Sequence, residues 1–426
     1  MIDKMSRHTK KRYQAERRFK IYGLLAIMFA LGFLGLMLST IALRAIPAFT
    51  QTYIQLTVEF SAKILDVDNK RDVKQIARAD FQKIIREALY AEFPAANKRQ
   101  DKKHLKKLVS SEAGYHLSRD LLAAETTDLN FIGTSAAIWV KSSDDVDSFI
   151  KDFISREVDE INRRLNDQQI GWIDSLIADG KLETRFNWDF FKFADSRSPE
   201  DAGIRGAVMG SLFTLAITLM LSFPLGVFAA IYLEEYAKPG RITDFIGVNI
   251  NNLAAIPSIV FGLLGLALFL NIFGMSRSSP LVGGLVLSLM TLPTVIITTR
   301  AALKSVPPSI REAALGIGAS KMQTILHHVL PLAMPGALTG AIIGMARALG
   351  ETAPLLMIGM VAFIADIPTN INDPATVLPV QIYIWADSPE RAFESKMSAA
   401  ILVLLFFLIV MNGLAVLLRR KYERRW

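Results

Sequence analysis

Cysteine is absent from this 426-residue chain, so disulfides and thiolate metal sites are excluded and no segment outside the cytoplasm can be stapled covalently. A Walker-type glycine loop is missing too. Between residues 44 and 205 there is no metal-ligand spacing, phosphate-cradling loop or nucleophile motif. Charge is scarce, 21% of residues against 51% hydrophobic, and that mixture fits membrane spans joined to a water-exposed segment better than one soluble domain.

The formal charge of +8 is localised. Residues 1–20 hold eight Lys/Arg against two acids, and residues 419–426 hold five against one. Those two basic tails exceed the whole net charge, which argues for membrane topology and against a nucleic-acid surface.

Six apolar stretches are long enough to span about 30 Å of hydrocarbon: 21–43, 206–233, 245–273, 281–300, 332–362 and 397–418. An even number places both termini on one side, and basic ends place that side in the cytoplasm. The first stretch is too long for a cleaved signal and reads as an uncleaved anchor. The division is a tail at 1–20, a first helix at 21–43, a periplasmic domain at 44–205, a five-span apolar core at 206–418 carrying a cytoplasmic loop at 304–331, and a tail at 419–426. The fold class is an all-α polytopic membrane protein of six transmembrane helices, with an inserted α+β extracytoplasmic domain between helices 1 and 2.

Within the insert, residues 81–93 and 146–165 space apolar residues as amphipathic helices do, and 131–140 reads as a buried strand. The basic run from Lys98 to Lys107 reads as a solvated surface. Phe186, Trp188, Phe190, Phe191 and Phe193 crowd together before the second span, as aromatics do at a membrane interface; a soluble core strand is the alternative.

Glycine and proline punctuate the spans, and Gly340 with Gly344 forms a pattern that lets helices approach closely. Arg347 and Glu351 interrupt the fifth span one turn apart, a spacing that allows an ion pair on one helix face. Either alone would cost about 3 kcal/mol near the bilayer centre, so both should face protein or water. Two readings stay open: a lock between helices, or an arginine on an anion pathway whose charge Glu351 moderates. Pro354 is expected to end or bend the helix beyond them.

Residues 309–354 organise the rest. Ser309 stands three residues before Glu312 and Ser320 three before Gln323, each a candidate capping box. A short helix over 310–316, a glycine turn and a second helix towards Leu330-Pro331 follow, a shape suited to docking. The order Glu312, Ala313, Ala314, Gly318 and Leu330-Pro331 resembles the cytoplasmic EAA loop of permease subunits in ABC importers, although that pattern usually has an aliphatic residue where His328 stands. AGIRGAVMGSLFTL, AAIYLEEYA, IPSIVFGL and ARALGETAPLL narrow the resemblance to the PstA-type permeases of phosphate importers, over residues 203–426.

The resemblance implies a type I-like permease fold, with Glu312, Ala313, Ala314 and Gly318 coupling to the ATPase. It implies no cofactor and no enzymatic activity in this chain. The expected partners are a homologous sister permease, an ATP-binding subunit dimer, a periplasmic phosphate-binding protein and the lipid bilayer of the bacterial inner membrane. The family often has Arg before Thr-Thr at the end of the fourth span; here Ile297 precedes Thr298-Thr299 and Arg300 follows, so Arg300 is the candidate to take that place on the anion path. The long segment 44–205 is a second departure. The alternatives are a permease for molybdate or sulfate, and a membrane sensor or scaffold; the latter lacks a cytoplasmic output module.

Overall fold

The computed structural model describes residues 7–65, 76–122 and 131–422. Basic residues of the tails at 1–6 and 423–426 lie outside them.

Helix α1 (Arg7–Ala45) leads through a 3₁₀ turn into β1 (Thr50–Glu59). The insert continues with α2 (Phe81–Glu92), α3 (Arg99–Leu105), α4 (Ala113–Leu122), β2 (Ser135–Lys141), α5 (Asp144–Ile150), α6 (Asp167–Ala178), β3 (Leu182–Phe186) and the single turn α7 (Asp189–Lys192). Its sheet has the order β2-β1-β3 with both pairings antiparallel, Ile54 lying opposite Val140 on one side and Leu182 on the other. Alternation along β1 buries Ile54, Leu56 and Val58 completely beneath Ile84, Ile85 and Leu89 of α2. Each such side chain contributes about 1.5–3 kcal/mol by burial.

Two local expectations need correction. Residues 146–165 are not one helix: α5 stops at Ile150, and Asp152 takes a left-handed φ of 59°. The first half has a core to cover, through Val146 and Phe149, whereas Ile161 in the second half is 96% exposed. The strand at 135–141 is also exposed over its first three residues and buried only at Val140 and Lys141.

The remaining helices are α8 (Arg205–Ile231), α9 (Arg241–Ala254), α10 (Ser258–Gly265), α11 (Pro280–Ser305), α12 (Pro308–Gly316), α13 (Leu330–Gly350), α14 (Ala353–Met357), α15 (Leu378–Ala386) and α16 (Ala392–Tyr422). Among the described residues five helices are long and apolar enough to cross a membrane, six if the bent pair α9 and 258–272 is one span. That pair bends by 98° at Pro257, so the stretch expected to run straight from 245 to 273 is broken. Proline there removes an amide donor and holds the preceding residue out of helix.

The fifth span is likewise shorter than 332–362. Helix α13 ends at Gly350, Glu351 is extended (φ −79°, ψ 125°), and Pro354 sits in the first turn of α14. Pro354 packs so tightly on Gly262 of α10 that a Cβ there would lie 2.6 Å from its Cα. The paired glycines do bring helices together: a Cβ on Gly340 would come within 1.7 Å of Thr298, and one on Gly344 within 2.4 Å of Thr291.

The insert is bonded into the bundle. Within the insert, buried Lys141 on β2 ties the sheet to the segment leading into α8, reaching Asp189 Oδ2 at 2.6 Å and Asp201 Oδ1 at 3.1 Å; Asp201 also accepts from Ser110 Oγ at 2.5 Å and lies 2.7 Å from His116 Nε2. Trp385 of α15 donates to Asp195 at 2.9 Å, and Lys396 of α16 donates to the Ala202 carbonyl at 2.5 Å. The aromatic cluster divides at this junction. Phe190 is fully buried near Trp385, while Phe186, Trp188 and Phe191 stay exposed.

Burial, then the charge of Asp201, pushes the Glu200 carboxyl up to about 7; burial, then Asp145, pushes Asp144 up to about 6. The folded chain therefore holds protons there that the unfolded chain has lost, so this contribution to stability falls as pH rises from about 5 to 7. Asp201 has the opposite sign. Burial alone would raise it, but His116, Lys141 and Ser110 hold it well below the usual carboxylate range, and its contribution is lost only in acid. The thermal midpoint is expected to drop between about pH 5 and pH 8, and Glu200→Gln to flatten that slope. An unchanged slope in the variant would remove Glu200 as a cause.

Candidate functional site

Two constellations stand at opposite halves of the bundle. The first is the knuckle between α11 and α13. Pro308 starts α12 with its fixed φ, and the N-cap is Pro307, without a side-chain cap. The expected capping box of Ser309 and Glu312 is therefore absent. The second box forms: Ser320 Oγ accepts from the Gln323 amide at 3.3 Å, and the Gln323 side chain accepts from the Ser320 amide at 2.9 Å. Gly318 turns the chain between them with φ +89° and open space around it. Residues 324–329 then form a wide π turn before Leu330-Pro331, where proline has no amide to close a normal turn.

Glu312 and Ala313 are exposed and Ala314 is buried, 4% accessible. What the sequence reading did not single out is the apolar crown of the knuckle: Ile317 is 82% exposed, Met322 56% and Leu315 51%. Their clustering on a turn between polar helices was the available signal.

The base of the knuckle is braced by acids from the end of α8. Glu235 Oε1 accepts from Arg311 Nη2 at 2.7 Å, and Arg311 also donates to the carbonyls of Leu303 and Val306. Glu234 accepts from Arg300 Nε at 2.6 Å and lies 3.6 Å from Lys304. Glu234 and Glu235 were legible only as part of a family stretch; two adjacent acids ending an apolar helix, with Arg300, Lys304 and Arg311 elsewhere in the chain, were the clue.

The second constellation is Arg347 with Glu351. Arg347 Nε lies 3.4 Å from Glu351 Oε1, but the two do not share a helix face, because Glu351 has left the helix. Arg347 is in the last turn of α13, where its charge complements the helix dipole. Its side chain is 46% exposed and that of Glu351 19%. Gly344 packs on Thr291, eleven residues into α11, so Arg347 lies roughly 12 Å inside that end of the bundle. The same packing puts Arg300 about 18 Å from Arg347 along the helix axes. The structure does not bring these two arginines together.

Comparison with known proteins matches two separate parts of the chain. Residues 222–424 match the family model described as binding-protein-dependent transport system inner membrane component, and residues 6–160 match a domain of unknown function, DUF3333. The chain is 33% identical over 226 residues to the probable ABC transporter permease protein YqgI of Bacillus subtilis, covering 50% of this chain and 76% of that one. It is 33% identical over 224 residues to the phosphate transport system permease protein PstA 1 of Mycobacterium tuberculosis, covering 52% and 72% respectively. Against the phosphate transport system permease protein PstA of Haemophilus influenzae the identity is 32% over 224 residues, covering 53% and 78%. A solved inward-facing MetNI methionine ABC transporter chain aligns with TM-score 0.43 and 21% identity over 51% of this chain and 97% of that one.

Proposed function

The chain belongs to the binding-protein-dependent transport system inner membrane component family as a PstA-type permease, and from that premise we propose that it carries inorganic phosphate into the cytoplasm. It is a multi-pass inner-membrane permease subunit of an ABC importer and is not itself an enzyme. The observation that carries the anion reading is Arg347, a half-exposed cation about 12 Å inside the bundle. A guanidinium facing lipid at that depth would cost about 3 kcal/mol. A water-filled path for an anion gives it a function there, with Glu351 at 3.4 Å keeping the anion from being held too long.

In this reading both termini and the 304–331 loop are cytoplasmic, the 44–205 insert is periplasmic, and the bent pair counts as the sixth span. Glu312, Ala313, Ala314 and Gly318 shape the knuckle that seats on an ATP-binding subunit dimer. A sister permease completes the pathway, and a periplasmic phosphate-binding protein delivers the solute. Arg300, neutralised by Glu234, is assigned to bracing the knuckle in place of the anion path. The test is competition: the assembled transporter should take up labelled phosphate with uptake undiminished by tenfold excess sulfate or molybdate. Suppression by either would reassign the solute.

A further inference from the structure

The last turn of α1 and the start of α16 enclose a groove of about 730 Å³ beside the insert. Arg44 and Arg391 both line it, and neither guanidinium has an acid or carbonyl partner among the described residues. Glu394 is the one acid in the lining, so the groove keeps an excess of positive charge. The rest of its wall mixes Ser395 and Ser398 with apolar Pro47, Phe153, Met397 and Leu43, the last 68% exposed. The exposed aromatics gather close by: Phe191 stacks on Phe49, at the end of the turn that follows α1, and Phe186 stacks on Phe191 and meets Trp188 edge-on. Tryptophan is enriched at the boundary between headgroups and acyl chains, and Trp188 is 62% exposed here.

We propose that this groove binds an anionic phospholipid, its phosphate between Arg44 and Arg391 and its acyl chain along Leu43 and Met397. Free phosphate shares the headgroup chemistry, but the apolar wall continuing onto two membrane spans commits the site to lipid. Basic pockets between spans hold anionic headgroups by this combination of charge and apolar contact. The site is independent of the solute carried.

The full chain, purified in detergent, can be titrated with phosphatidylglycerol, phosphatidylcholine or inorganic phosphate and read by native mass spectrometry. Phosphatidylglycerol should be retained about thirtyfold better than phosphatidylcholine, roughly fivefold for each arginine. The Arg44→Gln/Arg391→Gln variant should retain both alike with an unchanged thermal midpoint, and each single variant should lose about fivefold. Glu394→Gln should increase retention. Equal retention of the two lipids by the native chain overturns the proposal, as does undiminished phosphatidylglycerol binding by the double variant. Displacement of the lipid by millimolar phosphate would make this a free-anion site and overturn the lipid assignment.

Discussion

Replacing Ile317 by aspartate is expected to detach the ATP-hydrolysing subunits while leaving the permease folded in the membrane. Ile317 is 82% exposed in the single chain, and a surface substitution of this kind changes stability by about 0.5 kcal/mol or less. In the docked complex the same side chain would stand at the tip of an apolar crown with Leu315 and Met322. An unpaired carboxylate there costs on the order of 2 kcal/mol or more, roughly a thirtyfold loss of ATPase capture in a pull-down. Leu315→Asp should act alike. Ile177→Asp, also at an exposed isoleucine but on the insert, should not. Gly318→Val works differently: nothing clashes, but a β-branched residue at φ +89° costs about 1–2 kcal/mol and tilts the knuckle, so coupling should fall less steeply. Normal ATPase capture by Ile317→Asp would remove the crown as the docking surface.

The knuckle also shows which parts of the structure were legible in sequence. The box at Ser320 and Gln323 is local, four residues on a polar loop, and its chemistry can be read directly. Ser309 looked equivalent, but the prolines before it set the helix start and left its hydroxyl inside α12. The braces cannot be read that way: Glu234 meets Arg300 across 66 residues and Glu235 meets Arg311 across 76. No periodicity reports such a pairing, and without it Arg300 looked free for another role. The same limit applies at residues 146–165. Lys151 donates to the carbonyls of Pro47 and Thr50, both at 2.8 Å, so the chain is held by partners about a hundred residues away. Hydropathy located the spans, because burial in lipid demands long apolar runs. It could not show where two of them break: the 98° bend falls at Pro257, and the fifth span ends at Gly350, ahead of Glu351 and not at Pro354.

The largest effect on transport per assembled complex is expected at Arg347. Arg347→Gln keeps length and removes the charge, so phosphate uptake per assembled complex should fall about tenfold or more, the loss of roughly 1.4 kcal/mol of anion interaction. Glu351→Gln leaves the arginine unopposed and should slow release, lowering uptake severalfold. The two variants together separate a pathway from a lock. If the pair only joins the end of α13 to the chain beyond it, removing both charges leaves no partner stranded, and function should largely return. If Arg347 serves the anion, nothing in the double variant replaces it. The decisive measurement is therefore ATP-driven phosphate uptake by the Arg347→Gln/Glu351→Gln double variant, normalised to complexes that still retain the ATPase. Uptake about tenfold or more below the native transporter is the predicted result, and near-native uptake would contradict the anion pathway and leave the pair as a structural lock.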